Sequence, residues 1–261
     1  MRPSLRLGHV AGISIGLHWS ILLIAVLLTS TLSGSVLPAT AAGYSGFAYL
    51  VAAIATAGLF LSSIVAHELG HSLVALRNRV KVRSITLFAL GGVASLDGEA
   101  ANPGAAARIA LAGPAVSVAV GILSLGTALG SSALGLPALV VAAVAWLGLI
   151  NLSLALFNML PALPLDGGRV LQAYLWHRRG DRHSATLSAA KMGRFIGWGL
   201  VALGLWELTN GADGLLTVFI GWFVIMNAGA EARRARLEQR AAGQWPDEWH
   251  VIDVEGRPVG R

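Results

Sequence analysis

The chain contains no cysteine. That excludes disulfides, thiolate zinc sites and a cysteine nucleophile. Charge is also scarce. Asp, Glu, Lys and Arg make up 12% of the 261 residues, where soluble globular domains carry about 25%. So little charge cannot cover a water-facing surface. Hydrophobic residues reach 55% and mean hydropathy is +0.69, which places the chain in a lipid bilayer. The net charge of +6 does not point to nucleic acid here, because in a membrane chain the positions of Lys and Arg matter more than their sum. No long internal repeat is present.

Six apolar stretches are present, at 11–36, 47–76, 105–129, 136–160, 188–208 and 214–230. Each is long enough, or nearly so, to cross about 30 Å of hydrocarbon. Arg2 and Arg6 precede the first. Arg77 to Arg83 follow the second, and Arg169 to Arg182 follow the fourth. With six spans all 19 Lys and Arg fall on one side, so both termini are expected in the cytoplasm. A cleaved signal peptide ending near Ala39-Thr40-Ala41 is the competing reading; it would break this partition. Gly193-x-x-x-Gly197 reads as a close-packing pair. The expected fold is an all-α polytopic membrane protein with six transmembrane helices. A small β-hairpin or short strands are expected between helices 2 and 3, over 80–98, where residues partly alternate.

Ionisable residues inside a span are costly and mark function. The second span contains His67-Glu68-Leu69-Gly70-His71. On a helix, His67 and His71 lie one above the other and can share one Zn²⁺. Glu68 is rotated about 100° away. From there it reaches a metal-activated water as general base rather than the metal itself. The plain alternative is a polar cluster hydrogen-bonded to a neighbouring helix. A catalytic zinc needs a third protein ligand, and no nearby histidine has a suitable spacing. The fourth span ends in Asn158-Met-Leu-Pro161-Ala-Leu-Pro164-Leu-Asp166-Gly167-Gly168-Arg169. Two prolines break the helix, and the glycine pair is expected to free the backbone after Asp166. Non-helical backbone at this depth lines a cavity. Asp166 is therefore the candidate third ligand, with a turn or capping carboxylate as the alternative.

The H-E-x-x-H motif with Pro164-Leu-Asp-Gly-Gly-Arg169 two spans later resembles the site-2 protease family of intramembrane zinc metalloproteases. The resemblance is closest to the bacterial branch that processes a sporulation sigma factor. Phe88-Ala-Leu-Gly91-Gly92-Val-Ala94, Ala112-Gly-Pro-Ala115 and Gly12-Ile13 to His18-Trp19 resemble further family segments. The resemblance covers residues 7 to about 230. It implies one zinc per chain on His67, His71 and Asp166, with Glu68 as base. It also implies substrates that are single-span membrane proteins, such as anti-sigma or pro-sigma factors, cut in or near the cell membrane. Asn158 falls in the family's fourth-span motif and, with Gly91 and Gly92, is a candidate for substrate or oxyanion contact. A strand near 80–98 is a candidate for β-pairing with an unwound substrate. His18 is a candidate cavity-lining residue.

Residues 1–230 read as the protease domain. Residues 231–261 read as a basic cytoplasmic tail that opens as a helix against anionic lipid. Its last part, Val251 to Gly260, resembles the start of a cystathionine-β-synthase-type module. The rival readings are a zinc or proton transporter using the same His, Glu and Asp, and an inactive membrane-binding relative. The sequence does not fix the oligomeric state.

Overall fold

The structure is a computed structural model that describes residues 4–10, 12–88, 91–211 and 213–244. The Val251–Gly260 segment lies outside the described residues. The chain opens with strands β1 (Leu5–Val10) and β2 (Ile13–Leu17). Helix α1 (Ile21–Thr31) runs through one π-helical segment (Leu32–Val36) into the short α2 (Leu37–Thr40). Pro38 has no N–H to donate, and the wide i→i+5 turn accommodates it. The widening also aligns Leu32 with Leu37, and both are fully buried. Helix α3 (Gly46–Arg77) follows, then β3 (Lys81–Phe88), β4 (Gly91–Asp97), α4 (Pro103–Ala133) and α5 (Ala138–Asn158). The remaining helices are α6 (Asp166–Arg179), α7 (Arg182–Thr209) and α8 (Leu215–Gln244).

The four strands form one sheet in the order β1-β2-β3-β4. The two hairpins are antiparallel, and β2 and β3 join in parallel, with Leu17 opposite Leu87. The sheet is larger than the expected hairpin because β2 comes from residues read as the start of span one, and β1 from those just before it. Ile13-Ser14-Ile15 alternates with a period of two, and Ile13 and Ile15 are buried. Hydropathy alone does not separate such a strand from a helix start. The first apolar helix therefore begins at Ile21, not near residue 11. Ile13, Val82 and Ile85 pack with Ala75 and Val80, which fixes the sheet to the end of the bundle where α3 stops and α4 starts.

Five helical segments are long and apolar enough to cross a membrane: Ile21–Thr40, Gly46–Arg77, Pro103–Ala133, Ala138–Asn158 and Leu215–Arg240. The expected fifth span lies in α7. That helix has 28 residues, but Lys191, Arg194, Glu207 and several glycines lower its apolarity below the others. Glycines set the closest helix approaches. Gly121 on α4 meets Gly148 on α5, and Gly197 and Gly204 on α7 meet Gly221 and Gly214 across from them. A Cβ at Gly193 would collide with the backbone of Leu163. This clamps α7 onto the 159–165 break.

Candidate metal centre

Helix α3 is 32 residues long, or about 48 Å at 1.5 Å per residue. His67 and His71 lie in its last third, toward the sheet. Helix spacing stacks the two imidazoles, whose ring centroids are 4.9 Å apart. Asp166 is the first residue of α6, reached after the chain leaves α5 through Pro161 and Pro164. The expectation that Gly167 and Gly168 loosen the backbone is not met. Both are buried within the first turn of α6. A Cβ at Gly167 would strike the carbonyls of Met159 and Leu160, and one at Gly168 would strike Ala162 and Leu163. The pair lets the helix start lie directly on the broken strand of chain before it, and this fixes where Asp166 stands.

Three ligand atoms converge. Nε2 of His67 and Nε2 of His71 are 3.2 Å apart, and each is 3.3 Å from Oδ2 of Asp166. A tetrahedral zinc with bonds of 2.0–2.1 Å has ligand–ligand edges of about 3.3–3.4 Å. The triangle therefore fits one metal ion, and the set of two imidazoles and a carboxylate suits zinc. His67, His71 and Asp166 are the group among the described residues that can hold a metal. The supports of the rings are equally specific. Nδ1 of His71 donates to the carbonyl of Ile109 at 2.7 Å, so its Nε2 keeps a free lone pair. Nδ1 of His67 lies 2.8 Å from Oγ of Ser117. With its proton on Nδ1, His67 likewise turns a lone pair inward. Asp166 supplies the third ligand as a carboxylate. The ligand is an anion at neutral pH.

Glu68 stands beside the triangle and not in it, as its helical rotation requires. It lies against Gly92 of β4, where a Cβ would overlap the carboxylate. The structure thus brings Gly92 to the site through Glu68. Gly91 pairs with Phe88 at the hairpin end. His18 is two strands away: its N–H donates to the carbonyl of Leu87, and Leu87 pairs with Gly92. Its ring is taken up by Ser20 at 2.8 Å and by Trp19. Asn158 is half-buried at the end of α5 and lies outside the metal group.

Two residues escaped the sequence reading as site residues. Ser117 holds His67, and Gly113 faces both ligands, since a Cβ there would fall on Nε2 of His71 and of His67. The signal was available. Gly113, Ser117, Gly121 and Ser124 recur every three or four residues and are all buried, which marks the face of α4 that meets α3.

The sequence profile of peptidase family M50 matches residues 55–203. That is more than half of the chain and includes all three ligand positions. The chain belongs to peptidase family M50. It is 43% identical over 245 residues to Rip3 of Mycobacterium tuberculosis, covering 93% of this chain and 62% of that protein. It is 40% identical over 242 residues to sll0528 of Synechocystis, covering 92% and 62%. Both are named as zinc metalloproteases. The chain therefore spans about 62% of the length of these curated relatives. Among solved structures it resembles the site-2 protease of Methanocaldococcus jannaschii. The match has a TM-score of 0.57 and 30% identity, over 88% of this chain and 95% of that one. Family membership and the five apolar helices make this M50 chain a multi-pass membrane protein.

Proposed function

We propose that this M50 chain is an intramembrane zinc endopeptidase of the site-2 protease type. Its substrates are single-span membrane proteins, with anti-sigma or pro-sigma factors as the class the family resemblance suggests. The observation that carries the reading is the 3.2–3.3 Å triangle of His67, His71 and Asp166 with Glu68 beside it, inside an apolar bundle.

His67, His71 and Asp166 would hold one zinc, which as a Lewis acid polarises a peptide carbonyl and makes water acidic enough to ionise near neutral pH. The Glu68 carboxylate accepts the water proton and delivers it to the leaving amine nitrogen. Ser117 and the Ile109 carbonyl keep the imidazoles oriented. A helical substrate must be extended before it is cut. Strand β4 is the last strand of the sheet, and its outer edge has no strand partner among the described residues. Its backbone can pair with an extended segment beside Glu68. Asn158, Gly91 and His18 are assigned to the surrounding substrate cavity on sequence grounds.

Helix α7 is the fifth of six spans. Its support is the glycine-to-glycine packing along α8, at Gly197 with Gly221 and at Gly204 with Gly214. Six spans keep every Lys and Arg on one side, which puts both termini and the site mouth in the cytoplasm of a cell-membrane protein.

Metal removal tests the function. The protein is purified, stripped with a chelator and offered a single-span substrate with and without added zinc. Cleavage is expected to vanish on stripping and return at about one zinc per chain. Undiminished cleavage in the stripped protein contradicts the proposal.

A further inference from the structure

We propose that Gly193 and Ala228 are positioning residues for the third zinc ligand: through the backbone of Leu163 they tie the docking of the α7–α8 pair to metal binding at Asp166. The inference rests on the reading of His67, His71 and Asp166 as a zinc site, and it adds the support that lies behind Asp166.

The support is a stack of backbones. Asp166 opens α6, and a Cβ at Gly168 would strike the backbone nitrogen of Leu163. The first turn of α6 therefore lies on that residue. Helix α7 reaches the same residue. A Cβ at Gly193 would stand 2.5 Å from the Leu163 carbonyl oxygen and 3.0 Å from its nitrogen. Helix α8 comes next, because that Cβ would also lie 3.1 Å from the methyl of Ala228. The layer is dry: Leu163 is 2% exposed, and Ala189, Ala190 and Ala228 are fully buried. Leu171 and Ala232 pack against it. No long side chain separates the Leu163 backbone from α6 or α7. A long side chain changes rotamer and absorbs a shift, whereas close-packed backbone passes it on. The link from Leu163 to Asp166 is short and braced, since the Leu165 N–H donates to the Ala162 carbonyl at 2.8 Å.

Among the described residues α7 and α8 pack on each other and α7 packs on α6; neither packs extensively on α1 to α5. Their further hold on the rest of the chain is at Leu163 and in the ion pair of Arg182 with Glu99. The pair is thus anchored where the metal ligand is set. Coupling of this kind is reciprocal. If docking of α7–α8 raises zinc affinity by placing Asp166, zinc strengthens the docking by the same factor. The chain has no cysteine, so one introduced thiol reports on one place. In Ala228→Cys the thiol replaces the buried methyl that faces Gly193, and its rate of labelling by a maleimide reads how often the pair opens. Zinc is expected to slow this labelling about fivefold relative to chelator-stripped protein, the low end of ordinary coupling between sites. Ala53→Cys is the control, buried where α3 meets α5. Its labelling is expected to be the same with and without zinc. In Ala228→Cys combined with Asp166→Ala, zinc is expected to give no protection. The converse arm is zinc affinity, read by competition with a chelator. Gly193→Ala is expected to lower it about fivefold, as modest overpacking does. Gly199→Ala is expected to leave it unchanged, since a Cβ there meets nothing within 4 Å.

Equal protection of both thiols would mean that zinc stabilises the whole bundle, and it overturns the inference. So does protection at Ala228→Cys that persists without Asp166, or labelling that zinc leaves unchanged. A folded Gly193→Ala protein with undiminished zinc affinity overturns it as well; should that variant not fold, the thiol measurement decides. Unmodified protein that takes up no zinc fails the metal reading itself. Zinc uptake without local protection fails this inference and leaves the metal site standing.

Discussion

Glu68→Gln is expected to lower peptide cleavage by about 10²- to 10⁴-fold, the range that general acid–base groups contribute, while zinc remains bound at about one per chain. The amide keeps the size and the place of the side chain against Gly92. It cannot accept a proton from water or return one to the amine. The ligand triangle does not include Glu68, so the metal has no reason to leave. Activity and metal content, measured on the same preparation, separate this role from a structural one. Loss of zinc together with activity would place Glu68 among the ligands or supports. Retained activity would remove it from the chemistry.

Gly113→Ala is expected to weaken zinc binding. The added methyl would occupy the space of Nε2 on both His67 and His71. The rings have little room to retreat, because Ser117 and the Ile109 carbonyl hold their far sides. Helix α4 cannot back away easily either: a Cβ at Gly70 would sit 3.0 Å from the Ala112 carbonyl, so the two helices already touch there. Overpacking of this kind costs about 1–3 kcal/mol, or roughly 5- to 150-fold in an equilibrium constant. That cost falls directly on the two ligand atoms. Zinc affinity, read by competition with a chelator, is the measurement. Gly126→Ala is the control on the same helix, since a Cβ there meets nothing within 4 Å. It should bind zinc as the unmodified protein does. Equal affinity in both variants would mean that α4 shifts freely and that Gly113 is not a clearance residue.

The H-E-x-x-H pair was legible because helical spacing alone stacks His67 on His71, whatever the rest of the chain does. Asp166 was legible only as a candidate from its place after a broken span, and family resemblance singled it out. Gly167 and Gly168 were misread. A glycine in sequence signals either conformational freedom or close approach, and here the chain folding back over 159–165 decides for close approach. Gly113 and Ser117 matter only once α4 is docked on α3, so their role is a property of the pair of helices. The start of span one failed for a different reason. Ile13, Ile15 and Leu17 are as apolar as a helix, and the strand character of this segment comes from the pairing of β2 with β3, 70 residues later in the chain. Helix α7 is legible over 188–208, but its charges and glycines leave it less apolar than the five long apolar segments.

Zinc K-edge X-ray absorption on the purified, metal-replete protein tests the central claim most directly. The account predicts one zinc with light N and O neighbours at about 2.0–2.1 Å in four-fold coordination, with multiple scattering from two imidazoles. No sulfur shell at about 2.3 Å is expected from a chain without cysteine. Asp166→Ala should lose one oxygen neighbour or the metal altogether. A protein that holds no zinc, or whose zinc spectrum is unchanged by Asp166→Ala, would contradict the site.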